Sequence, residues 1–203
     1  ANDPVEAAGK VGRCQDFDGT DDYISIADSA DFTFDAFTME IIATPDVTTG
    51  VRDRLIQKYN TESGDSFRLR QYDDPNDVWE FAVHINGTPK IIVSNNAPTG
   101  LAEHIACVRD DSGNMSMYID GVAQTDTDTH NGTIDSSTPV YLGSDNSATC
   151  NFYHGLGDEV RFSNTNRSTA WAKATYNSLW DSLLTYGSEE TNGMHYFLDV
   201  IFK

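Results

Sequence analysis

The sequence predicts an all-β protein, an antiparallel sandwich of two sheets with one short helix near the C-terminus. Turn residues recur at short intervals along the 203 residues and separate short runs in which apolar and polar side chains alternate. Asp outnumbers Glu by 24 to 8, and Asp favours turns whereas Glu favours helices. A single β-sandwich of this length can bury a sizeable core.

Two early segments show the alternation of a half-buried strand. In the run 37–43 the side chains of Phe37, Met39 and Ile41 share one face. In the run 66–72 the arginines Arg68 and Arg70 alternate with apolar residues and are therefore expected to point outward.

Two hairpins follow. Asn86-Gly87 separates strands expected at 78–85 and 89–93, and Asp120-Gly121 separates 115–119 from a strand that begins at Val122. Both dipeptides suit a type I′ turn, in which the two central residues need positive φ. The run 103–109 precedes the second hairpin, so this segment is expected to form a meander.

One helix is expected, over 169–179 with Ser168 as its N-cap. Its alanines favour a helix, and Trp171, Tyr176 and Leu179 are expected to form an inward stripe. The polar segment 126–137 is expected to be a loop or a weak strand.

The last ten residues, 194–203, place alternate apolar side chains on one face of an extended strand. Exposed in water, such a stripe would promote aggregation, so we expect a sheet of this chain or of a neighbour to cover it.

The net charge of −19 argues against partners that are themselves polyanions. Nucleic acid and anionic membrane surfaces would need a basic patch. The densest basic stretch is interrupted by acids and is interpreted as solvated strand faces; it comprises Arg52, Arg54, Lys58, Arg68 and Arg70. No apolar run is long enough for a membrane helix, so no membrane insertion is expected. Because no signal-peptide pattern opens the chain, either a leader was removed or the chain is part of a longer protein.

Three stretches resemble the concanavalin A-like, laminin G-like modules of prokaryotic-type surface proteins. They are 17–24 (FDGTDDYI), the hairpin 103–121, and 155–162 (GLGDEVRF) with the helix that follows it. The resemblance covers about residues 11–190 and implies a jelly-roll whose first and last family strands lie side by side. It leaves 1–10 as an N-terminal extension and 191–203 as a C-terminal apolar strand or extension.

The resemblance also implies a structural calcium ion where those end strands meet. The candidate ligands are Asp18, Asp21 and Asp158, with Gly19 or Asp22 lending a backbone carbonyl. In the alternative interpretation Asp18, Asp21 and Asp22 only build turns, and Asp158 accepts a backbone N–H.

Three cysteines, Cys14, Cys107 and Cys150, lack a zinc-binding spacing. The closure of the sandwich end to end makes a Cys14–Cys150 disulfide one possibility. Three reduced, buried cysteines are the other.

Carbohydrate binding is the function that the resemblance suggests first, and it needs an exposed aromatic platform beside polar groups. The candidates are Tyr59, Tyr72, Trp79 and Tyr153. Against this, Trp79 alternates with Phe81 and fits a core position, and Tyr59 fits the end of a strand.

An enzyme is not expected. Retaining glycosidases of this fold need two carboxylates about 5 Å apart, which requires acids two or four residues apart on one strand. Glu40 stands alone on its strand, and Asp158 and Glu159 are adjacent and point to opposite faces.

The sequence therefore predicts a non-catalytic extracellular binding or adhesion module that recognises a glycan or a protein surface ligand on its concave sheet and is stabilised by calcium. The alternative is a structural subunit of a surface assembly or filament, joined by strand addition through 194–203 or the N-terminal segment 1–11. A glycoside hydrolase is the least favoured interpretation.

Overall fold

The structure is a computed structural model that describes residues 3–46, 48–49, 51–58, 64–73, 76–145, 150–182, 184–186 and 200–202. Its strands are Val5–Ala8 (β1), Arg13–Asp18 (β2), Ile24–Ile26 (β3), Phe37–Pro45 (β4), Arg54–Lys58 (β5), Ser66–Tyr72 (β6), Val78–Ile85 (β7), Thr88–Val93 (β8), Glu103–Arg109 (β9), Asn114–Ile119 (β10), Val122–Ala123 (β11), Asp128–Thr129 (β12), Val140–Leu142 (β13), His154–Ser163 (β14), Leu184–Tyr186 (β15) and Val200–Phe202 (β16). Helix α1 spans Thr169–Leu179, and a short 3-10 helix spans Ala30–Phe32.

Two antiparallel sheets form the sandwich, as predicted. The first has the order β1-β2-β14-β4-β9-β10-β11, with β12 also paired to β10, and the second has the order β3-β13-β5-β6-β7-β8. The end strands β2 and β14 are neighbours, with Asp18 opposite His154. The resemblance to the jelly-roll modules implied this closure.

The core lies between the inner faces of the two sheets. Phe37 of the first sheet packs on Phe67 and Phe81 of the second, with ring centroids 5.3 and 6.0 Å apart, and all three rings are fully buried. Burial of a large apolar side chain contributes about 1.5 to 3 kcal/mol, so this aromatic cluster is a main source of stability.

Both hairpins are confirmed. Asn86 and Gly87 have φ of 50° and 74°, and Asp120 and Gly121 have φ of 52° and 72°. The positive φ at both central positions is the type I′ requirement that predicted these turns.

Helix α1 begins and ends where the sequence predicts, and the Ser168 side chain accepts the Trp171 N–H at 3.2 Å. The expected inward stripe is wrong for Trp171. Trp171 is 43% exposed and stacks under Arg167, while Ala172 is the buried residue of the helix. A small side chain at the contact lets the helix approach the sheet closely.

The interpretation of the basic stretch as solvated is also wrong in part. Arg70 is 8% exposed and Lys58 is fully buried. Lys58 Nζ forms an ion pair with Asp28 and donates to the carbonyl of Thr138 at 2.8 Å, which compensates for the buried charge.

Parts of both predicted extensions pair with strands of the same chain. β1 lies at the edge of the first sheet against β2, and β16 pairs with β15 in a two-stranded sheet. The division of the chain at 10 and 191 stays a prediction.

Candidate ligand face and acidic turn

The two outer sheet faces differ in how far the described part of the chain covers them. Helix α1 covers the first sheet, where Ala172 packs in one buried cluster with Ala106, Val108 and Tyr118. No helix of the described residues packs on the outer face of the second sheet, although most outward side chains of β5, β6 and β7 are buried. We therefore call the outer side of β5, β6 and β7 the open face.

Alternation along these strands selects the side chains of the open face. Because Phe67 and Leu69 of β6 point into the core, Arg68 and Arg70 point outward. The ladder sets Arg70 between Arg54 of β5 and Glu80 of β7. We call these four residues, Arg54, Arg68, Arg70 and Glu80, the arginine cluster.

Glu80 is the acceptor at the centre of the cluster. Arg70 donates to it through two nitrogens, at 2.8 and 2.7 Å, and Arg68 donates to it at 3.0 Å. Burial raises the pKa of Glu80, but the hydrogen bonds and charges of Arg70 and Arg68 outweigh it, so the pKa lies below its ordinary value. Glu80 is therefore ionised and satisfied.

Arg54 is arranged differently. Its Nε and Nη1 atoms are shielded from solvent and have no acceptor among the described residues. Burial, followed by repulsion from Arg70 and Arg68, lowers the pKa of Arg54 to about 10, which still leaves it charged at neutral pH. A buried donor without a partner costs about 1 to 3 kcal/mol.

Two further polar groups beside the cluster have no partner in the described structure. Gln57 is 2% exposed and its Oε1 accepts no hydrogen bond, and Ser66 is fully buried with an unpaired Oγ. Gln57 lies opposite Arg68, so its amide belongs to the open face. The open face thus contains both donors and acceptors that nothing in the described chain satisfies.

Tyr72 is the predicted platform residue that the structure places on the open face. Its half-buried ring lies 3.7 Å from the guanidinium carbon of Arg70 and 5.0 Å from that of Arg52, which also bonds Asp73 at 2.9 Å. The two cations fix the ring at the edge of the arginine cluster.

The structure places two other platform candidates in the core. Trp79 and Tyr153 are each 1% exposed, and the Trp79 indole donates to Glu103 at 2.8 Å between the sheets. Neither ring offers a surface to a sugar. Tyr59 lies outside the described residues.

The predicted metal ligands come together in part. One carboxylate oxygen from each of Asp18, Asp21 and Asp22 lies within 4.8 Å of the others, and this acidic turn could hold a metal ion. Gly19 belongs to the same turn. The hydrogen bond from the backbone N–H of Thr20 lowers the pKa of Asp18 below its ordinary value, so Asp18 is negatively charged at neutral pH.

Asp158 is not part of this cluster. His154 lies opposite Asp18, and Asp158 follows four residues later on β14, about 13 Å further along the strand. Its carboxylate instead accepts the backbone N–H of Val11 at 2.9 Å. A hydrogen bond to the backbone was the alternative role considered for this residue.

None of Cys14, Cys107 and Cys150 forms a disulfide in the described structure, so the Cys14–Cys150 disulfide is not present. Cys14 and Cys107 are buried, and Cys150 is exposed with its sulfur 2.8 Å from Asp145 Oδ2. Burial raises the pKa of the Cys107 thiol, which stays protonated in the core.

Sequence reasoning missed Arg54, Gln57 and Glu80. The alternation in β6 indicated that its arginines point outward, but the partners of those arginines depend on the register of β5 and β7. A lone Glu in the apolar strand β7 was the available signal, because a buried acid needs a cation beside it.

None of the described helices is long and apolar enough to cross a membrane.

Several solved structures are similar in fold. The binding domain of Paraclostridial Mosquitocidal Protein 1 aligns with a TM-score of 0.71 and 13% identity over 89% of this chain and 47% of the other. Domain 4 of an extracellular arabinanase from Geobacillus stearothermophilus, solved in complex with arabinotriose, has a TM-score of 0.67 and 16% identity over 85% of this chain and 81% of that one. A putative carbohydrate binding protein from Bacteroides ovatus has a TM-score of 0.62 and 22% identity over 79% and 45%.

The chain spans about half the length of the first and third of these proteins. At such identities the likeness shows a shared fold. A comparison with curated protein sequences finds no match.

The family comparison identifies the fold from sequence as well. A laminin G-type family model described as "Concanavalin A-like lectin/glucanases superfamily" matches residues 18–173. This range begins at the last residue of β2 and includes β14, the open face and the first turn of α1. On this match and the observed topology, the chain belongs to the concanavalin A-like lectin/glucanase superfamily.

Proposed function

We propose that this protein is a non-catalytic, extracellular module that binds carbohydrate on the open face of its second sheet. The observation that carries the proposal is the half-buried ring of Tyr72 beside the exposed Arg52 and the half-buried Asp73, on the outer face that α1 does not cover. Sugar sites combine an aromatic ring with hydrogen-bonding groups in this way. Two proteins of similar fold support it, since one is described as a putative carbohydrate binding protein and the other contains arabinotriose and is extracellular.

The distribution of the buried acids supports a non-catalytic role. Among the described residues, the buried glutamates lie in three different layers. Glu40 lies on the outer face of the first sheet beside His104, Glu103 lies between the sheets, and Glu80 lies on the open face, bound by two arginines. A retaining glycosidase needs two carboxylates about 5 Å apart in one cleft.

We further propose that the acidic turn binds calcium. Calcium prefers six to eight oxygen ligands, and three carboxylates on one turn supply several of them at a charge that a divalent cation would balance. The ion would fix the end of β2 beside β14 and stabilise the closure of the sandwich. Asp158 is too far along β14 to belong to this ligand set.

A glycan microarray tests the binding proposal. We expect the labelled protein to bind at least one class of carbohydrate, and Tyr72→Ala to weaken that binding. Trp171→Ala is the matched control, because Trp171 is an exposed aromatic residue on the opposite side of the sandwich. Binding to no carbohydrate, or equal losses in both variants, would contradict the proposal.

A structural subunit remains a second candidate. The two-stranded sheet of β15 and β16 pairs with no further strand in the described part of the chain, and two-stranded sheets are marginal alone. Its edges are therefore suited to strand addition. Deleting 194–203 should abolish assembly and leave glycan binding intact if this candidate is correct; a truncated protein that still polymerises would contradict it.

A further inference from the structure

A cavity of about 170 Å³ lies between the two sheets, where β2 and β14 of the first sheet lie across from β3 and β13 of the second. Protein interiors are close-packed and leave few voids larger than a water molecule. Apolar side chains from both sheets form most of the wall of this cavity: Phe17, Ile24, Ile41, Leu55, Leu142 and Tyr153.

The ring of Phe17 does not swing in to fill this space, because the backbones of two glycines hold it. A Cβ added to Gly143 would lie 2.4 Å from the ring, and one added to Gly157 would lie 3.1 Å from it. Tyr153 packs edge-on against the same ring, with centroids 6.0 Å apart, and its hydroxyl donates to the carbonyl of Leu156 at 3.3 Å. The aromatic walls of the cavity are therefore preformed.

The cavity opens to solvent beside β2. Arg13 lies at its rim with a side chain that is 69% exposed, and three further lining residues, Gln15, Glu159 and Val160, are half-buried. Gln15 lies two residues before Phe17 on β2, so both side chains are on the inner face of the sheet. The Gln15 amide thus offers a donor and an acceptor at the rim of an apolar space.

The volume and the lining fit one aromatic ring. An apolar cavity of about 150 Å³, lined by Leu, Ile and Phe, stays dry and binds benzene. The rings of Phe17 and Tyr153 favour an aromatic ligand over an alicyclic one of similar size, because aromatic rings gain energy from edge-to-face and offset contacts. A hydroxyl on the ligand ring can bond the Gln15 amide at the rim.

We propose that this cavity is a second binding site, which takes the ring of a monocyclic phenol and holds the phenol hydroxyl at Gln15. The inference is independent of carbohydrate binding. The open face is the outer side of the second sheet, whereas the cavity lies against the inner side of that sheet.

NMR of the full chain with labelled methyl groups tests the proposal by titration with phenol. We expect the methyl signals of Ile24, Ile41 and Leu142 to shift along a saturable curve, because these side chains line the cavity. Cyclohexanol, a ring of similar size that is not aromatic, should bind about 2- to 10-fold more weakly, the range for one lost aromatic contact.

Two substitutions at the rim locate the ligand. Val160→Phe places a ring at the opening and should abolish the saturable shifts. Val122→Phe is the matched control, because Val122 is 64% exposed on β11, which lies at the other edge of the first sheet. Gln15→Leu should weaken phenol binding by about 2- to 10-fold, the range for one hydrogen bond, and should not weaken binding of toluene, which lacks the hydroxyl.

The contrary outcomes are distinct. If phenol causes no saturable shift at the cavity methyl groups of the parent protein, no ligand enters the cavity and the proposal is overturned, whatever the variants do. Normal phenol binding by a folded Val160→Phe variant would place the ligand elsewhere. Equal binding of cyclohexanol and phenol, or equal losses of phenol and toluene in Gln15→Leu, would overturn the assignment to a phenol. Each of these results leaves carbohydrate binding on the open face to its own test.

Discussion

Individual buried charges in this sandwich differ in whether described residues satisfy their hydrogen-bonding atoms. Arg109 is satisfied by backbone carbonyls, and Arg54 is not satisfied by any described residue at Nε and Nη1. The sequence alone could not separate them. Both are arginines in strands, and two of the carbonyls that accept from Arg109 lie more than twenty residues further along the chain.

Arg109→Met should destabilise the protein by about 3 kcal/mol, because it removes a buried guanidinium that donates to three backbone carbonyls. Urea denaturation measures the loss. Arg161→Met is the matched control, since that arginine is exposed and forms a surface ion pair with Glu159. A loss below about 1 kcal/mol for Arg109→Met would mean that solvent replaces the guanidinium.

His84 makes stability depend on pH. Burial, followed by the charge of Arg68, lowers the pKa of His84 from 6.5 to about 4. The unfolded chain therefore binds a proton between pH 6.5 and 4 that the folded chain does not bind. The stabilisation is present above pH 6.5 and decreases as the pH falls through this window, by roughly 3 kcal/mol in all.

Urea denaturation between about pH 7 and 4.5 should show this decrease, and His84→Gln should reduce it. An identical pH dependence in the variant would contradict the assignment of the effect to His84.

At the scale of elements, the sequence predicted the features that depend on residues near one another in the chain. The hairpins at Asn86-Gly87 and Asp120-Gly121 and the cap at Ser168 follow from turn and cap chemistry within a few residues. The buried side of α1 did not follow, because it depends on which residue meets a sheet formed by distant strands. Ala172, a small residue, makes that contact.

The order of the strands in each sheet is likewise a long-range property. The family resemblance predicted only that the first and last family strands lie side by side. Alternation did not identify the neighbours of β5 or the bulge in its pairing with β6. That bulge places Arg54 opposite Arg70. The sheet that forms the open face was therefore predictable, and its arginine cluster was not.

Gly155 tests the contact between β14 and β4. It has φ of 140°, and an added Cβ would lie 2.2 Å from the carbonyl oxygen of Thr44. Gly155→Ala should cost about 3 kcal/mol or more, because it combines backbone strain with a clash against backbone. Urea denaturation measures the cost.

Gly12→Ala is the control for this prediction. Gly12 also has positive φ, at 69°, but nothing lies within 4 Å of an added Cβ, so only the backbone strain of about 1 kcal/mol remains. Equal losses of unfolding free energy in the two variants would show that the close approach of Thr44 to Gly155 is not the cause.

At the scale of the whole molecule, the net charge of −19 includes two local clusters of opposite sign. The acidic turn at Asp18, Asp21 and Asp22 concentrates negative charge at one end of β2, and the arginine cluster concentrates positive charge on the open face. The family resemblance indicated the first, and the net charge argued against polyanionic partners such as nucleic acid. The second becomes visible only when three strands are aligned.

Calcium should raise the melting temperature of the whole domain. An ion that binds only the folded state stabilises it by about 2.7 kcal/mol at a hundredfold excess over its dissociation constant. A chelator should therefore lower the melting temperature of the parent protein, and Asp18→Asn should lose most of this response. A melt that a chelator leaves unchanged would contradict calcium binding at the acidic turn.

Mapping the residues that contact a bound glycan tests most directly the central claim that the open face is the binding surface. Backbone amide signals can be followed by NMR while a bound oligosaccharide is titrated into the protein. We predict that the shifted signals belong to β5, β6 and β7 around Arg54, Arg70 and Tyr72. Shifts confined to α1 or to the acidic turn would contradict the assignment of the open face as the binding surface.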